Sequence, residues 1–439
     1  MTKIKTTTLL SLLISLSMLC YAIRGNAGAI VITMLVFIFS VYLIKGKKIN
    51  KSLSMIYGAF ILAFALLIGI IRSCNFEYYL FVGYFGAVLV LFNSNLDVYK
   101  NIWNFLGKIS IFEAIGVFFQ KLFPSFYNSC ISLVLPSSVV MSIQNRLLGG
   151  YSTGFTREIS FTMFLIVIGL GIYIFDLLKK DDVKIDKNYK IKKYLIILFL
   201  FLALLISGKR ATLLFFIVTL FIVEFMKSKN PLKFLKYFVI GGGALFLILY
   251  ISFPLWSKIS FLSRIVELLN YIGDKNIIGI TNGRVVIYQH ALELWKHNPL
   301  FGIGWGNFKY MVGSSYWYSG YDVHNCFLQI LCETGLVGAV LFVILTISSI
   351  YRLVKCVKKS RECGNDYYYK LSILVTYIQV FFITYSFTEP ILYEYTDYII
   401  YFVSINITDL LLLKLENNKE KNSTSLQRGR HIKNEKVTC

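Results

Sequence analysis

The sequence predicts an all-α polytopic membrane protein with about twelve transmembrane helices and one large, partly helical external loop between the ninth and tenth. Three observations predict it. Hydrophobic residues make up 56% of the 439 residues, with a mean hydropathy of +0.66, whereas a soluble domain holds roughly 45–50% apolar residues. The excess falls in blocks of about 20 residues, long enough to cross a bilayer as a helix. Backbone amides in lipid must be satisfied within the segment, so the blocks read as helices. Aromatic residues at 16% fit interfacial belts of Tyr and Trp.

The spans run over roughly 8–23, 27–44, 53–71, 78–92, 102–122, 159–178, 194–206, 211–226, 237–256, 326–350, 371–387 and 397–414. The first block, from Thr8 to Ile23, has no clear small-residue cleavage site and reads as a span, not a signal peptide. The fifth is the weakest, because it carries Lys108, Glu113 and Lys121 and is followed by Pro124. Residues 1–256 thus hold spans one to nine with an external segment at 124–158. Residues 257–325 form the external loop, 326–414 hold spans ten to twelve, and 415–439 are a basic, polar tail expected to be disordered. No internal repeat relates the halves.

A formal net charge of +22 points to nucleic acid in a soluble protein. Here the charge follows topology instead. Lys and Arg concentrate on one alternate set of loops, such as Lys45 to Lys51, Lys179 to Lys193 and Arg352 to Lys370, together with the tail. The positive-inside rule then puts both termini in the cytoplasm, in agreement with an even number of spans. The eight cysteines form no CxxC pair, and they read as unpaired apolar filler rather than metal or redox ligands.

The external segments hold the candidate chemistry. Ile287, Ala291, Leu294 and Trp295 fall at helical spacing, so Arg284 opens a short amphipathic helix that Thr281 or Asn282 can cap and Pro299 follows. Gly302, Gly304 and Gly306 resemble a phosphate loop but lack a preceding strand; a tight turn bringing backbone close to a neighbour or ligand fits better. Tyr316, Trp317, Tyr318 and Tyr321 are either an interfacial anchor or a stacking platform for sugar rings. His324 and Asn325 stand at the mouth of the tenth span, where an imidazole can serve as a general base or as a structural group. Glu158, Asp322 and Glu333 are all possible partners for it or for the arginines. Lys209 and Arg210 occupy a turn too short to carry two cations at membrane depth without partners, so they either snorkel or clamp an anionic headgroup. Arg157 and Glu158 enter the bilayer edge together at the sixth span, as an internal ion pair or a ligand contact.

Three stretches carry a family resemblance. His297-Asn298-Pro299-Leu300-Phe301-Gly302-Ile303-Gly304, His324-Asn325-Cys326-Phe327-Leu328-Gln329 and Glu333-Thr334-Gly335-Leu336-Val337-Gly338 resemble the signature of the O-antigen ligase and O-antigen polymerase family. Ser207-Gly208-Lys209-Arg210 is similar to that family's external serine–arginine turn, with a lysine inserted before Arg210. Gly154 to Ser160 is similar to its glycine-rich entry to the mid-chain span. The motif covers about a tenth of the chain.

The resemblance implies a bacterial membrane glycosyltransferase of the cytoplasmic membrane, whose substrate is an oligosaccharide on undecaprenyl diphosphate. It implies polymerisation of repeat units of an O-antigen or capsule. The alternatives are ligation to lipid A core and, in a different class, flipping of the lipid-linked oligosaccharide. Catalytic roles then fall to His324, Arg284 and Arg210. Substrate contacts fall to Lys209, Arg157, Asn325, Gly302, Gly304, Trp317 and Tyr321. A flippase and a chain-length regulator are the further partners implied. No cofactor or metal is expected, since no Asp-x-Asp motif occurs.

Overall fold

The computed structural model describes residues 6–24, 96–133, 135–177, 186–228, 230–236, 270–271, 273–274, 277–281, 283–312 and 320–435. The expected spans at 27–44, 53–71, 78–92 and 237–256 lie outside these residues, as do Asn282, Tyr316, Trp317 and Tyr318. Among the described residues the secondary structure is helical, without strands. In chain order the helices are α1 Thr6–Arg24, α2 Leu96–Leu122, α3 Pro124–Ser132, α4 Ser137–Leu148, α5 Ile159–Asp176, α6 Lys187–Ile206, α7 Arg210–Lys227, α8 Ile277–Ile280, α9 Arg284–His297, α10 Phe308–Met311, α11 Cys326–Cys363, α12 Asp366–Tyr385 and α13 Tyr395–Glu435.

Four described segments are long and apolar enough to cross a membrane: Val98–Leu122, Ile159–Asp176, Cys326–Cys363 and Thr396–Asn417. They correspond to the expected fifth, sixth, tenth and twelfth spans. Helix α5 sits centrally. It packs against α2, α6 and α12, and Phe161, Phe164, Ile166 and Ile168 along it are all at most 1% exposed. A run apolar on every face belongs inside a bundle rather than on its rim. Helix α7 packs on α12, and α12 on α11 and α13.

The weak fifth span has a structural reason for its polar residues. Its Glu113 carboxylate accepts the Phe155 amide at 3.0 Å, and Gln120 Oε1 accepts the amides of Thr153 and Gly154 at 2.7 and 3.2 Å. Tyr127 of α3 donates to the Gly154 carbonyl. The loop 151–158 therefore hangs on α2 and α3 by its backbone, which is how Arg157 and Ser160 come to be placed.

Two boundaries differ from the sequence expectation. The tenth span does not stop near residue 350; α11 continues to Cys363, where Gly364 turns left-handed at φ 71°. Its basic residues are steadied by acids of α13. Arg352 meets Asp409 at 2.5 Å, and Lys355 and Lys359 meet Glu416 at 3.3 and 2.6 Å. Helix α13 likewise continues to Glu435 through the tail that composition alone assigned to disorder; Lys, Glu, Gln and Arg are good helix formers, and the helix entering it is already nucleated.

A second, smaller core lies outside the bundle. Ile287 and Ala291 of α9 pack with Ile303, Phe308, Val312, Val323 and Cys332. Helix α9 thereby lies on the N-terminal part of α11, around Cys332. The helix starts at Arg284, as its spacing predicts, on Gly283 in the left-handed region (φ 76°), with the Thr281 hydroxyl accepting the Val285 amide at 3.4 Å.

Candidate functional site

The loop between α12 and α13 supplies a residue that sequence reasoning missed. Glu389, 3% exposed, follows Thr388 and precedes Pro390. Its Oε1 lies 2.9 Å from Lys209 Nζ and 3.3 Å from Arg284 Nη2. Its Oε2 accepts the Ser160 hydroxyl at 3.1 Å and stands 3.8 Å from His324 Nδ1. Lys209 also donates to Ser160, and Arg284 Nη1 donates to the Thr388 carbonyl at 2.9 Å. One buried carboxylate thus joins the turn before α7, the start of α5, the start of α9 and the mouth of α11.

The local backbone explains each approach. Gly208 at φ 81° lies against the Gly150 carbonyl, and the Ser152 amide donates to the Ser207 carbonyl at 3.1 Å. A side chain at residue 208 would block that docking, which fixes where Lys209 points. The Cys326 amide donates to the Ser386 carbonyl at 2.8 Å, so the mouth of α11 is tied to the loop that carries Glu389. Asn325 caps α11 by accepting the Leu328 amide at 3.0 Å. Tyr321, half exposed, has its ring centroid 6.2 Å from that of His324.

Burial would raise the Glu389 carboxyl, but Lys209, His324 and Arg284 together hold it well below the usual carboxylate range. Burial would likewise lower Lys209, yet Glu389 and the Tyr385 phenol keep it above an ordinary lysine. Glu389 is therefore anionic and Lys209 cationic at neutral pH. With Arg284, two permanent cations face one anion, so the cluster keeps a net positive charge. Among the described residues His324 Nδ1 makes no hydrogen bond.

A second acidic residue of the same loop, Glu394, lies 3.9 Å from Arg157, whose guanidinium covers the Phe161 ring at 5.1 Å. Burial raises Glu394 to about 8 despite Arg157, with Glu158 and Asp322 adding to the rise. Glu158 itself pairs with Arg146 at 2.9 Å. The adjacent Arg157 and Glu158 thus face different partners, Glu394 and Arg146.

None of the three carboxylates proposed from sequence is the one found nearest His324. Asp322 accepts from Gln329, Glu158 from Arg146, and Glu333 from the Gly306 and Phe308 amides at 2.7 and 3.0 Å. The glycine loop has a packing role. Gly302, Gly304 and Gly306 all have positive φ, and the amides of Ile303 and Gly304 donate to the carbonyls of Cys332 and Glu333 at 3.0 and 2.8 Å. In return the amides of Leu336 and Val337 reach the carbonyls of Pro299 and Leu300. This exchange is open because α11 breaks at Gly335, φ 66° and ψ −168°. The neighbour that the glycines approach is α11. Arg210 opens α7 one residue beyond Lys209, while Trp317 lies outside the described residues.

The family model described as O-antigen ligase matches residues 195–343. That stretch is similar to an O-antigen ligase domain. The match spans Lys209, Arg210, Arg284 and His324 and stops before Glu389. No curated protein matches the chain. The likeness of this stretch to an O-antigen ligase domain, together with the apolar helices, indicates a bacterial membrane protein.

Proposed function

We propose that the chain is a membrane glycosyltransferase that polymerises undecaprenyl-diphosphate-linked oligosaccharide repeat units of a surface polysaccharide. In this reading it acts at the outer face of the cytoplasmic membrane, with about twelve spans, the 257–325 loop outside and both termini inside. The observation that carries it is the convergence of Lys209, Arg284 and His324 on Glu389. A leaving diphosphate needs fixed cations, and an attacking sugar hydroxyl needs a base. Both are present within one cluster at helix ends.

The step is an exchange at the donor's anomeric carbon. The acceptor hydroxyl attacks that carbon, a new glycosidic C–O bond forms, and the C–O bond to the diphosphate breaks. His324 takes the hydroxyl proton. The bond's electrons leave with the diphosphate, whose charge Lys209 and Arg284 stabilise together with Arg210. Glu389 orients the imidazole and holds the cations in place before substrate arrives. These side chains supply the positive charge, so the reading assigns no metal ion.

Ligation to lipid A core would use the same residues, and the matched domain is described as a ligase. Deletion of the gene in its host, complemented with wild type, Arg210→Ala, Arg284→Ala or His324→Ala at matched expression, tests the reading. Loss of the polymer ladder with single repeat units still attached is the outcome expected of a polymerase. Full-length polymer accumulating on the carrier lipid identifies a ligase. Lipid-linked units held on the cytoplasmic face identify a flippase. Unchanged glycan with all three variants overturns the site.

A further inference from the structure

His324 holds a backbone conformation that its own sequence does not favour. At φ 56° it lies in the left-handed region, the one non-glycine among the described residues to do so. A histidine stays there when its neighbours leave it no alternative.

The neighbours that do so belong to one face of α11. Gln329, fully buried, accepts the Val323 amide on Oε1 at 3.2 Å and donates through Nε2 to Asp322 Oδ1 at 2.8 Å. Its side chain therefore grips both residues before His324, one by backbone and one by side chain. Glu333, one helical turn on and also fully buried, lies 3.4 Å from the same Nε2 and binds the amides of Gly306 and Phe308. The grip is thus tied to the loop that follows α9, the helix that begins with Arg284. On the other side, Tyr288 of α9 donates to the His324 carbonyl at 3.3 Å.

We infer that Gln329 is a positioning residue for the transfer reaction: through Asp322 and Val323 it sets the backbone of His324, and so the direction of the imidazole relative to Glu389 and the substrate. The inference rests on the proposed glycosyl transfer. The Gln329 side chain bonds to Asp322, Val323 and Glu333, and it reaches His324 through residues 322 and 323. Its neighbour Glu333 keeps the external loop in register with that grip.

The test uses the full-length protein in lipid nanodiscs with undecaprenyl-diphosphate-linked repeat units extracted from the host. Gln329→Met keeps the side-chain length and removes the hydrogen bonds to Val323, Asp322 and Glu333. It is expected to lower kcat about 10- to 100-fold, the scale of a misplaced catalytic group, with KM within about twofold. Asp322→Ala, on a partly exposed side chain, is expected to lower kcat in the same sense. Asp322→Asn still accepts from Gln329 and is expected to stay within about threefold of wild type. This pair decides the matter if Gln329→Met does not fold. An unchanged kcat, or a rise in KM alone, overturns the inference. A second readout is independent of turnover: carbethoxylation of His324 by diethyl pyrocarbonate, followed by mass spectrometry. Its rate is expected to change at least about threefold in Gln329→Met and in Asp322→Ala, with His290 and His297 unaffected. An unchanged rate overturns the inference even if wild type proves inactive on these units, an outcome that would sink the proposed function separately.

Discussion

Glu389 and Lys209 meet at 2.9 Å with side chains 4% and 11% exposed, joining the loop after α12 to the turn before α7. Two charges withdrawn from water this far remain stable only as a set. Removing one partner strands the other, which typically costs about 3–5 kcal/mol. Glu389→Gln keeps the shape and an oxygen for Ser160, but leaves Lys209 and Arg284 facing each other without an anion. The expected result is a markedly lower melting temperature of the nanodisc-embedded protein and loss of polymer. A variant with wild-type melting would mean that the pair is not what holds α7 to the loop.

The same pair fixes a pH window. Glu389 is depressed in the folded state, so its contribution is present above the unfolded carboxylate value of about 4.3 and is lost as pH falls through the folded value. Lys209 is raised, so its contribution is present below about 10.4 and is lost as pH rises through the folded value. Between pH 5 and 9 the pair therefore adds no slope. Glu394 behaves oppositely. Its folded value of about 8 means that the native state holds a proton the unfolded chain has released. Stability must fall as pH rises from about 4.3 to 8 on its account. Glu394→Gln is expected to flatten the decline in melting temperature between pH 6 and 8. An identical decline in both proteins would show that Glu394 is ionised throughout.

The helices and the mouth of α11 are legible in the sequence because each is written locally. Ile159–Asp176 is one apolar run, Arg284 begins a helical period, and Asn325 stands at a cap position. Glu389 is not legible that way. Its partners lie 180, 105 and 65 positions away at Lys209, Arg284 and His324, and nothing beside it but Pro390 marks it. The available signal is two acids, Glu389 and Glu394, between two apolar spans on the predicted outer side, with nothing to mark which of them meets the cations. The glycine loop was half legible. Positive φ follows from the residue type, but that Gly302 and Gly304 face α11 depends on the break at Gly335, which a continuous ETGLVG reading does not reveal.

That break yields a stability prediction. A Cβ at Gly335 would collide with the Leu300 carbonyl, and one at Gly302 with the Glu333 backbone. Both positions also have positive φ, where a side chain adds about 1–3 kcal/mol of strain. Gly335→Ala and Gly302→Ala are each expected to release the loop after α9 from α11, with faster limited proteolysis between residues 298 and 312. Gly306→Ala has open space at its Cβ and carries only the backbone strain. It should be the mildest of the three. Equal sensitivity in all three would mean that φ, not the close approach, governs the seam.

Arg284 separates charge from geometry. Its guanidinium uses one nitrogen on the Thr388 carbonyl at 2.9 Å and another toward Glu389 at 3.3 Å. A lysine at this position keeps the charge but cannot span both acceptors with a planar fork. If Arg284 serves only as a counter-ion to Glu389, Arg284→Lys should retain most activity and stability. If it also presents a fixed face to a diphosphate, Arg284→Lys should fold with near-normal melting, yet lose about 10- to 100-fold in kcat/KM. The second outcome is expected, because Lys209 already neutralises Glu389 at shorter range. A single positive charge there suffices for the native state, so what remains for the guanidinium is its directional contact with substrate. Comparing polymer formation and melting in Arg284→Lys and Arg284→Ala distinguishes the two: a lysine variant as active as wild type would reduce Arg284 to a structural cation.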